Sequence, residues 1–288
     1  MLASAIASGV VLGAIYALVA VGLALIFGVV KIINFAQGAL LTVALYGVYL
    51  MYSHFRIDPY LTLPAVVAGM AALGYLIQTV LIDRVLNKER ASQLLITFGL
   101  AMALQNGCLA LFGADYHSVN TPIDSQVIHP FGVAVTVVSL VAMGGSALSV
   151  AFLYLFLRKT RVGTAIRVVA QQPDSAELAG INVRRMYALA FALGCALAGV
   201  AAVLISPMYP IQPNVGDTFG IIAFIVVVLG GLGSVAGAAA AAMLIGIGQS
   251  VFATMINVQM STAFVFLVFI VLMIVRPNGL FGRTERVA

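Results

Sequence analysis

The sequence predicts an all-α fold, a polytopic transmembrane helical bundle of about eight to nine spans with interrupted or re-entrant segments. Three observations predict it. Of 288 residues, 63% are hydrophobic and only 8% are charged, with mean hydropathy +1.15. A soluble domain carries roughly 25% charged residues, because water demands a polar surface. Residues 1–30 and 238–275 contain no charged residue at all. A helix crossing ~30 Å of hydrocarbon at 1.5 Å per residue needs about 20 such residues. The third observation is the placement of the positive charges. Twelve of the fourteen Lys and Arg fall at 84–90, 158–185 and 276–286, while 114–130 and 207–217 have none. Basic loops stay in the cytoplasm, so 83–91, 158–185 and 276–288 are assigned inside and the two stretches without Lys or Arg outside. The same clustering accounts for the net charge of +5 without a nucleic-acid partner.

In chain order, spans are expected at 5–30, 36–53, 60–82, 92–113, 131–157, 186–206, 218–237, 238–256 and 260–275. The first run lacks the basic residues that open a secretory signal, so it reads as a first helix starting outside. An outside start and an inside end require an odd number of crossings unless a segment re-enters. The segments 31–53 and 218–250 are the interrupted ones, broken by polar and Gly-rich stretches. With no Trp in the chain, anchoring at the membrane surface falls to Tyr49, Tyr52, Tyr60 and Tyr209. The 28 glycines suit close helix packing, and Gly9, Gly13, Gly194 and Gly199 are read that way. Cys108 and Cys195 lie in apolar stretches and read as packing residues, not as a disulfide or metal ligands.

Two stretches carry functional information. Lys31-Ile-Ile-Asn-Phe-Ala-Gln-Gly38 places polar residues inside an apolar region. An unsatisfied polar group in hydrocarbon costs several kcal/mol, so such a stretch must be buried in protein or face water. The glycine break at 230–234 occupies a comparable place in the second half. Interrupted segments in both halves point to a substrate path. Asn34, Gln37, Gln105 and Asn106 are the candidate lining residues, with interhelical hydrogen bonding the other reading of the last two.

The second stretch is the basic loop 158–185. Within it Pro173 suits a first helical position, Asp174 and Glu177 suit the positive end of a helix dipole, and Gly180 suits a helix terminus. The expected product is a helix of about two turns, with Ala176, Leu178, Ala179 and Ile181 as small apolar contacts. Alone in water it would be marginal, so it needs its own spans or a partner to hold it.

Gly163-Thr-Ala-x-Arg167, followed by Ala170 and Ala179-Gly-Ile-Asn182, resembles the cytoplasmic EAA-type loop of ABC importer permeases. More narrowly, the chain resembles the hydrophobic amino-acid family, the permeases for leucine, isoleucine and valine. The resemblance covers most of the chain. It includes Gly22-Leu-x-Leu-Ile-Phe-Gly28, Ile33-Asn-Phe-Ala-Gln-Gly38, Val228-Leu-Gly-Gly-Leu-Gly-Ser234 and Arg276-Pro-x-Gly-Leu-Phe-Gly282. Gln37 departs from it, since many relatives carry His there. The resemblance implies that Pro173, Asp174, Ser175, Ala176, Glu177, Leu178, Ala179, Gly180 and Ile181 form a coupling helix seated in an ATP-binding cassette ATPase subunit. It also implies a second, related permease subunit, a periplasmic substrate-binding protein, and a place in the bacterial inner (plasma) membrane. Arg167, Arg184 and Arg185 are expected near membrane lipid headgroups. The whole chain, 1–288, is then one permease domain, importing branched-chain or similar apolar amino acids.

The absences fit a transporter that is not an enzyme. No GxxxxGK[ST] occurs, so ATP is not bound by a P-loop here. No Asp, Glu or His falls inside an expected span, and His54, His117 and His129 lie in expected external or interfacial stretches, unlike the ionisable groups of ion-driven carriers. No catalytic, cofactor or metal constellation is found. Other readings are an importer permease for urea, short amides or sugars, and an ion-coupled secondary amino-acid carrier.

Overall fold

A computed structural model describes residues 2–86, 88–121, 123–124, 126–128, 135–276 and 279–281. Its helices, in chain order, are α1 (Leu2–Val30), α2 (Gln37–Phe55), α3 (Leu63–Val80), α4 (Arg90–Phe112), α5 (Val137–Lys159), α6 (Arg161–Gln171), α7 (Pro173–Leu178), α8 (Val183–Ile205), α9 (Val215–Gly230), α10 (Val235–Met255) and α11 (Ser261–Val275). Two short 3-10 turns, Pro59–Thr62 and Ile82–Arg84, flank α3. A small hairpin pairs β1 (Val127–Ile128) antiparallel with β2 (Val135–Thr136), Val127 opposite Thr136. The start of the expected 131–157 span, His129, and Pro277, Gly282, Arg283 and Arg286 lie outside the described residues.

Four of the described helices begin at a short polar side chain that caps them. Thr136, Thr160, Asn182 and Ser234 accept hydrogen bonds from the backbone N–H of Ser139, Gly163, Arg185 and Gly237, opening α5, α6, α8 and α10. Each cap satisfies one of the N–H groups that a helix leaves unpaired at its start.

Helix α1 is the axis of the bundle. Along Ile15–Ile26 it is almost wholly buried, packed between α10 and α8, with α3 laid on the far side of α8. Lipid provides no hydrophobic drive for such contacts, so small residues must let backbones approach. Gly9 and Gly13 meet the α10 backbone at Ile247 and Met243, Gly194 meets Ile26, and Gly199 meets Met70. These four are packing positions, as expected. Polar groups complete the contact: Tyr16 Oη donates to Gln249 Oε1 at 3.0 Å, and Ser250 Oγ donates to Ala5 O at 2.7 Å. Cys108 and Cys195 are free and buried.

Among the described residues, seven helical segments are long and apolar enough to cross a membrane; α9 and α11 are shorter. The glycine break expected at 230–234 is where α9 ends and α10 begins, with Gly231 and Gly233 both at positive φ, so the boundary drawn between 237 and 238 moves back to it. Helix α9 starts at Val215 instead of 218, which draws Asp217 out of the expected outer loop and into a helix.

Candidate functional site

The basic residues of 84–90 and 158–185 gather at one end of the bundle, with the last turn of α1 and the first of α10; this is the basic end. At the other end Tyr49 stacks on His117 and Tyr46 on Phe112, each at 4.3 Å, and His117 bridges to Ile211.

The chain leaves α1 at the basic end through Lys31, a non-glycine residue with φ 59°. Residues 31–36 then turn back into the bundle without helical structure. Thr97 Oγ1 donates to Ile33 O at 3.1 Å and ties this segment to α4. Asn34 makes the next turn: its Oδ1 accepts from Ala36 N at 3.1 Å, its Nδ2 donates to Gln37 Oε1 at 3.4 Å, and Gln37 opens α2. Such side-chain bonds to the backbone two residues on are what asparagine offers at a turn. Asn34 and Gln37 are only 2% and 1% exposed. They are buried inside this chain, and Gln37 Nε2 faces the α1–α8 contact near Gly22 without a partner among the described residues.

Helix α2 therefore starts deep. From Gly216 to Gly230 at the basic end α9 covers about 21 Å at 1.5 Å per residue, so the first turn of α2, which touches Gly216, lies inside the apolar layer. There it meets the first turn of α9. Gly38 and Gly216 touch backbone to backbone, Gly220 closes on the Gly38 Cα, and Gly216 N donates to Thr42 Oγ1 at 3.1 Å. A Cβ at either Gly38 or Gly216 would overlap the other's carbonyl oxygen. Two helix N-termini thus converge at depth, and the N–H groups of Val215, Gly216 and Asp217 are paired with Gln212 O, Thr42 Oγ1 and Asn214 O.

Beside this junction the surface is polar. Gln105 Nε2 of α4 donates to Asn214 Oδ1 at 2.7 Å and to Asp217 Oδ2 at 2.9 Å. Gln105 lies about 22 Å along α4 from Arg90. Asp217 and Asn214 are exposed on the surface of the chain. Along α9, Ile221 and Phe224 follow Asp217 at helical spacing, on the same face. Phe224 stacks on Phe35 at 5.9 Å, and Phe35 is 46% exposed. The face thus has a carboxylate and two amides above and an apolar, aromatic floor below.

Of the four expected lining residues, only Gln105 reaches this face. Asn34 and Gln37 lie behind it and shape the break. Asn106 is exposed, but its Nδ2 donates to Met102 O of its own helix at 2.8 Å. Asn214, Asp217, Phe35 and Phe224 were not anticipated. Asp217, expected in the outer loop, belongs instead to the first turn of α9. The signal available was the run Asn214-Val-Gly-Asp-Thr-Phe-Gly220, which reads as a loop by composition.

At the basic end, α6 folds tightly back under α5. Its amphipathic inner face, Gly163, Ile166 and Val169, is buried, and Arg161, Arg167 and Val168 are exposed. Gln172 alone separates α6 from α7. Pro173 opens α7 as expected, and Gly180 ends it with φ +78°, where Ile181 N donates to Ala176 O at 3.0 Å. That pairing, closed by a left-handed glycine, is the Schellman terminus. One expectation changes. Ala176 is 0% exposed and faces this chain, so it is no outward contact, while Leu178 projects at 91% exposure. A six-residue helix has one face to the bundle and one away; Ala176 holds the first and Leu178 the second.

The bundle, its broken helices and its projecting basic-end lever define a helical membrane permease. The chain belongs to the family described as branched-chain amino acid transport system / permease component, whose model matches residues 5–275. It is 30% identical to the high-affinity branched-chain amino acid transport permease LivH of Escherichia coli, over 96% of this chain and 94% of the relative. BraD of Pseudomonas aeruginosa, a permease of the same description, is 30% identical over 96% and 95% of the two chains. The fructose import permease FrcC of Rhizobium meliloti is 34% identical over 35% of this chain and 30% of its own. No solved structure matches.

Proposed function

We propose that this chain is the permease subunit of an ATP-driven importer, forming the membrane path for branched-chain amino acids. The observation that carries the reading is the family match over 5–275, with relatives described as branched-chain amino acid permeases along nearly their whole length. The basic end faces the cytoplasm of a bacterial inner membrane. All nine long and short apolar helices cross or enter the bilayer, α2 and α9 starting within it. The whole of 1–288 acts as one permease domain.

The path runs along the face of Phe35, Gln105, Asn214, Asp217 and Phe224. An exposed carboxylate beside an apolar surface does not tolerate lipid, so this face meets water or a partner. A second, related permease subunit closes it from the other side. The polar upper part suits the charged ends of a free amino acid, and the Phe35–Phe224 floor suits its apolar side chain. Asn34 and Gln37 contribute by holding the break that brings α2 to Gly216. A binding protein delivers substrate at the opposite end, and Leu178, with Asp174, Ser175, Glu177 and Ala179 around it, seats in an ATPase cleft as the coupling helix.

The test is reconstitution of the permeases with their ATPases and binding protein in liposomes. ATP-dependent uptake of labelled leucine, competed by isoleucine and valine but not by urea or fructose, is expected. ATP-dependent uptake of urea or fructose without leucine overturns the substrate. Leucine uptake by the permease alone, without ATPase, overturns the importer class in favour of an ion-coupled carrier.

A further inference from the structure

We infer that the basic end carries a built site for one anionic phospholipid of the leaflet it faces, wedged between α1, α5, α6 and the start of α10. A half-open cavity of about 410 Å³ lies there. Arg158 and Arg167 line its mouth, and its walls are apolar, with Leu25, Val29, Leu157, Ile166 and Ala170 among them. Gly233, Val235 and Ala236, at the N-terminus of α10, close one side. None of the lining residues is acidic.

The two guanidiniums are oriented, and no carboxylate among the described residues is paired with them. Arg158 Nη1 donates to Tyr154 Oη at 3.0 Å and lies over the same ring at 5.9 Å. Arg167 Nη2 donates to Arg158 O and to Thr164 Oγ1, each at 3.4 Å. All of these partners are neutral. Bonds of 3.4 Å are long, which leaves donors free for a stronger acceptor. The dipole of α10 adds positive potential from the third side.

Charge alone would fit inorganic phosphate, but the walls decide against it. A small hydrated anion gains nothing from a cavity lined by leucine, isoleucine and valine. A phospholipid uses both parts, its phosphate between Arg158 and Arg167 and its first acyl carbons against Leu25, Val29 and Leu157. The position suits this too. Arg158 ends α5 at the basic end, where the positive-inside pattern places the lipid headgroups. The occupant would brace α6 against α1 and α10, one residue ahead of the helix that carries Leu178. Lipid binding itself is independent of the importer reading.

The experiment uses the full permease purified in mild detergent and examined by native mass spectrometry, then transferred to nanodiscs. One phosphatidylglycerol is expected to remain bound to the wild type, in preference to phosphatidylcholine. Arg158→Gln with Arg167→Gln should weaken its retention roughly 30-fold. That figure follows from about 1 kcal/mol per basic residue at an anionic surface and 1.4 kcal/mol per tenfold. Ala170→Trp, which fills the cavity with both charges kept, should also displace it. Arg184→Gln with Arg185→Gln, on the same end but away from the cavity, should not. Equal loss in the control pair, or unchanged retention in both cavity variants, overturns the site. Displacement by inorganic phosphate at equal concentration would show a plain anion site and overturn the lipid. Thermal unfolding of each variant separates misfolded protein from lost binding.

Discussion

Two short polar stretches, 31–36 between α1 and α2 and 172–182 around α7, solve opposite problems. Both use asparagine to restart a helix: Asn34 bonds Ala36 N ahead of α2, and Asn182 bonds Arg185 N at the start of α8. At the first break the polar groups turn inward. Asn34 and Gln37 are almost wholly buried, while Lys31 and Phe35 look out. At the second, apolar surface turns outward, with Leu178 at 91% exposure over a buried Ala176. A polar break inside a membrane must satisfy itself, because lipid offers no hydrogen bonds. A break in water can leave a leucine bare only at a cost, which a partner removes by covering it. In the proposed importer the first would be a hinge in the wall of the path and the second a plug for the ATPase.

The largest effect should come from the junction that the first break makes possible. Gly38→Leu places a side chain where the Gly216 carbonyl already sits. Backbone cannot yield as a flexible side chain does, so a loss of about 3 kcal/mol or more is expected, at the upper end for overpacking. Gly47→Leu, on the same helix with nothing within 4 Å of its Cβ position, should change stability by less than about 0.5 kcal/mol. Thermal unfolding in detergent compares the two. Equal behaviour would remove the α2–α9 contact from the account.

The second break should respond in binding and not in stability. Leu178→Asp deletes the projecting apolar side chain, and burying a leucine contributes about 1.5–3 kcal/mol. ATPase co-purification should fall roughly 10- to 100-fold at 1.4 kcal/mol per tenfold, with unfolding of the permease unchanged. Gly180→Val should act on the same readout through strain, since φ +78° disfavours a β-branched residue. Normal co-purification of both variants would make this loop a passive connector.

Much of this contrast was legible in the sequence, and what was not has a physical reason. Helix starts and stops follow from local chemistry: Pro173, Gly180, the caps and the basic clusters act within a few residues of themselves. So the expected spans and the α7 lever match the helices to within a few residues for most elements. The side on which a polar residue faces is a different matter. Asn34 and Gln37 were singled out because they are polar at depth, yet depth does not separate a lined path from a buried turn. Asp217 escaped notice because Gly216 and Gly220 make its neighbourhood look like a loop. Those glycines serve the Gly38 contact and α9 begins right there. Its partner Gln105 lies 112 residues away, a separation no local pattern spans.

A middling effect is expected at the hinge itself. Asn34→Leu loses the acceptor for Ala36 N and leaves that donor buried. A lost cap-like bond costs about 1 kcal/mol, more where a donor is stranded. Asn34→Asp keeps the acceptor and should recover most of the leucine uptake that Asn34→Leu loses. If Asn34→Asp is the worse of the two, the amide is needed for its donor side, and the turn is not what Asn34 supplies.

The smallest effect should separate two neighbours, Gln105 and Asn106. They are adjacent amides on α4, equal candidates by composition, and the helix turns them apart by about 100°. Gln105 reaches Asn214 and Asp217 across to α9, while Asn106 donates to Met102 O of its own turn. The α4 backbone already holds Met102 O in its helical ladder, so Asn106→Leu should change leucine uptake less than twofold. It should also shift stability by under about 0.5 kcal/mol. Gln105→Leu strips two donors from the carboxylate face and should lower uptake about tenfold, as loss of a charge-assisted bond of roughly 1.5 kcal/mol implies. Gln105→Glu is the sharper probe, since it keeps the length and shape but sets a second carboxylate against Asp217. If the face receives the ammonium end of an amino acid, the added charge should alter uptake of leucine while leaving ATPase co-purification intact. Uptake that falls for Asn106→Leu and holds for Gln105→Leu would move the path to the other side of α4. The Asp217 cluster would then be only a tie between two helices.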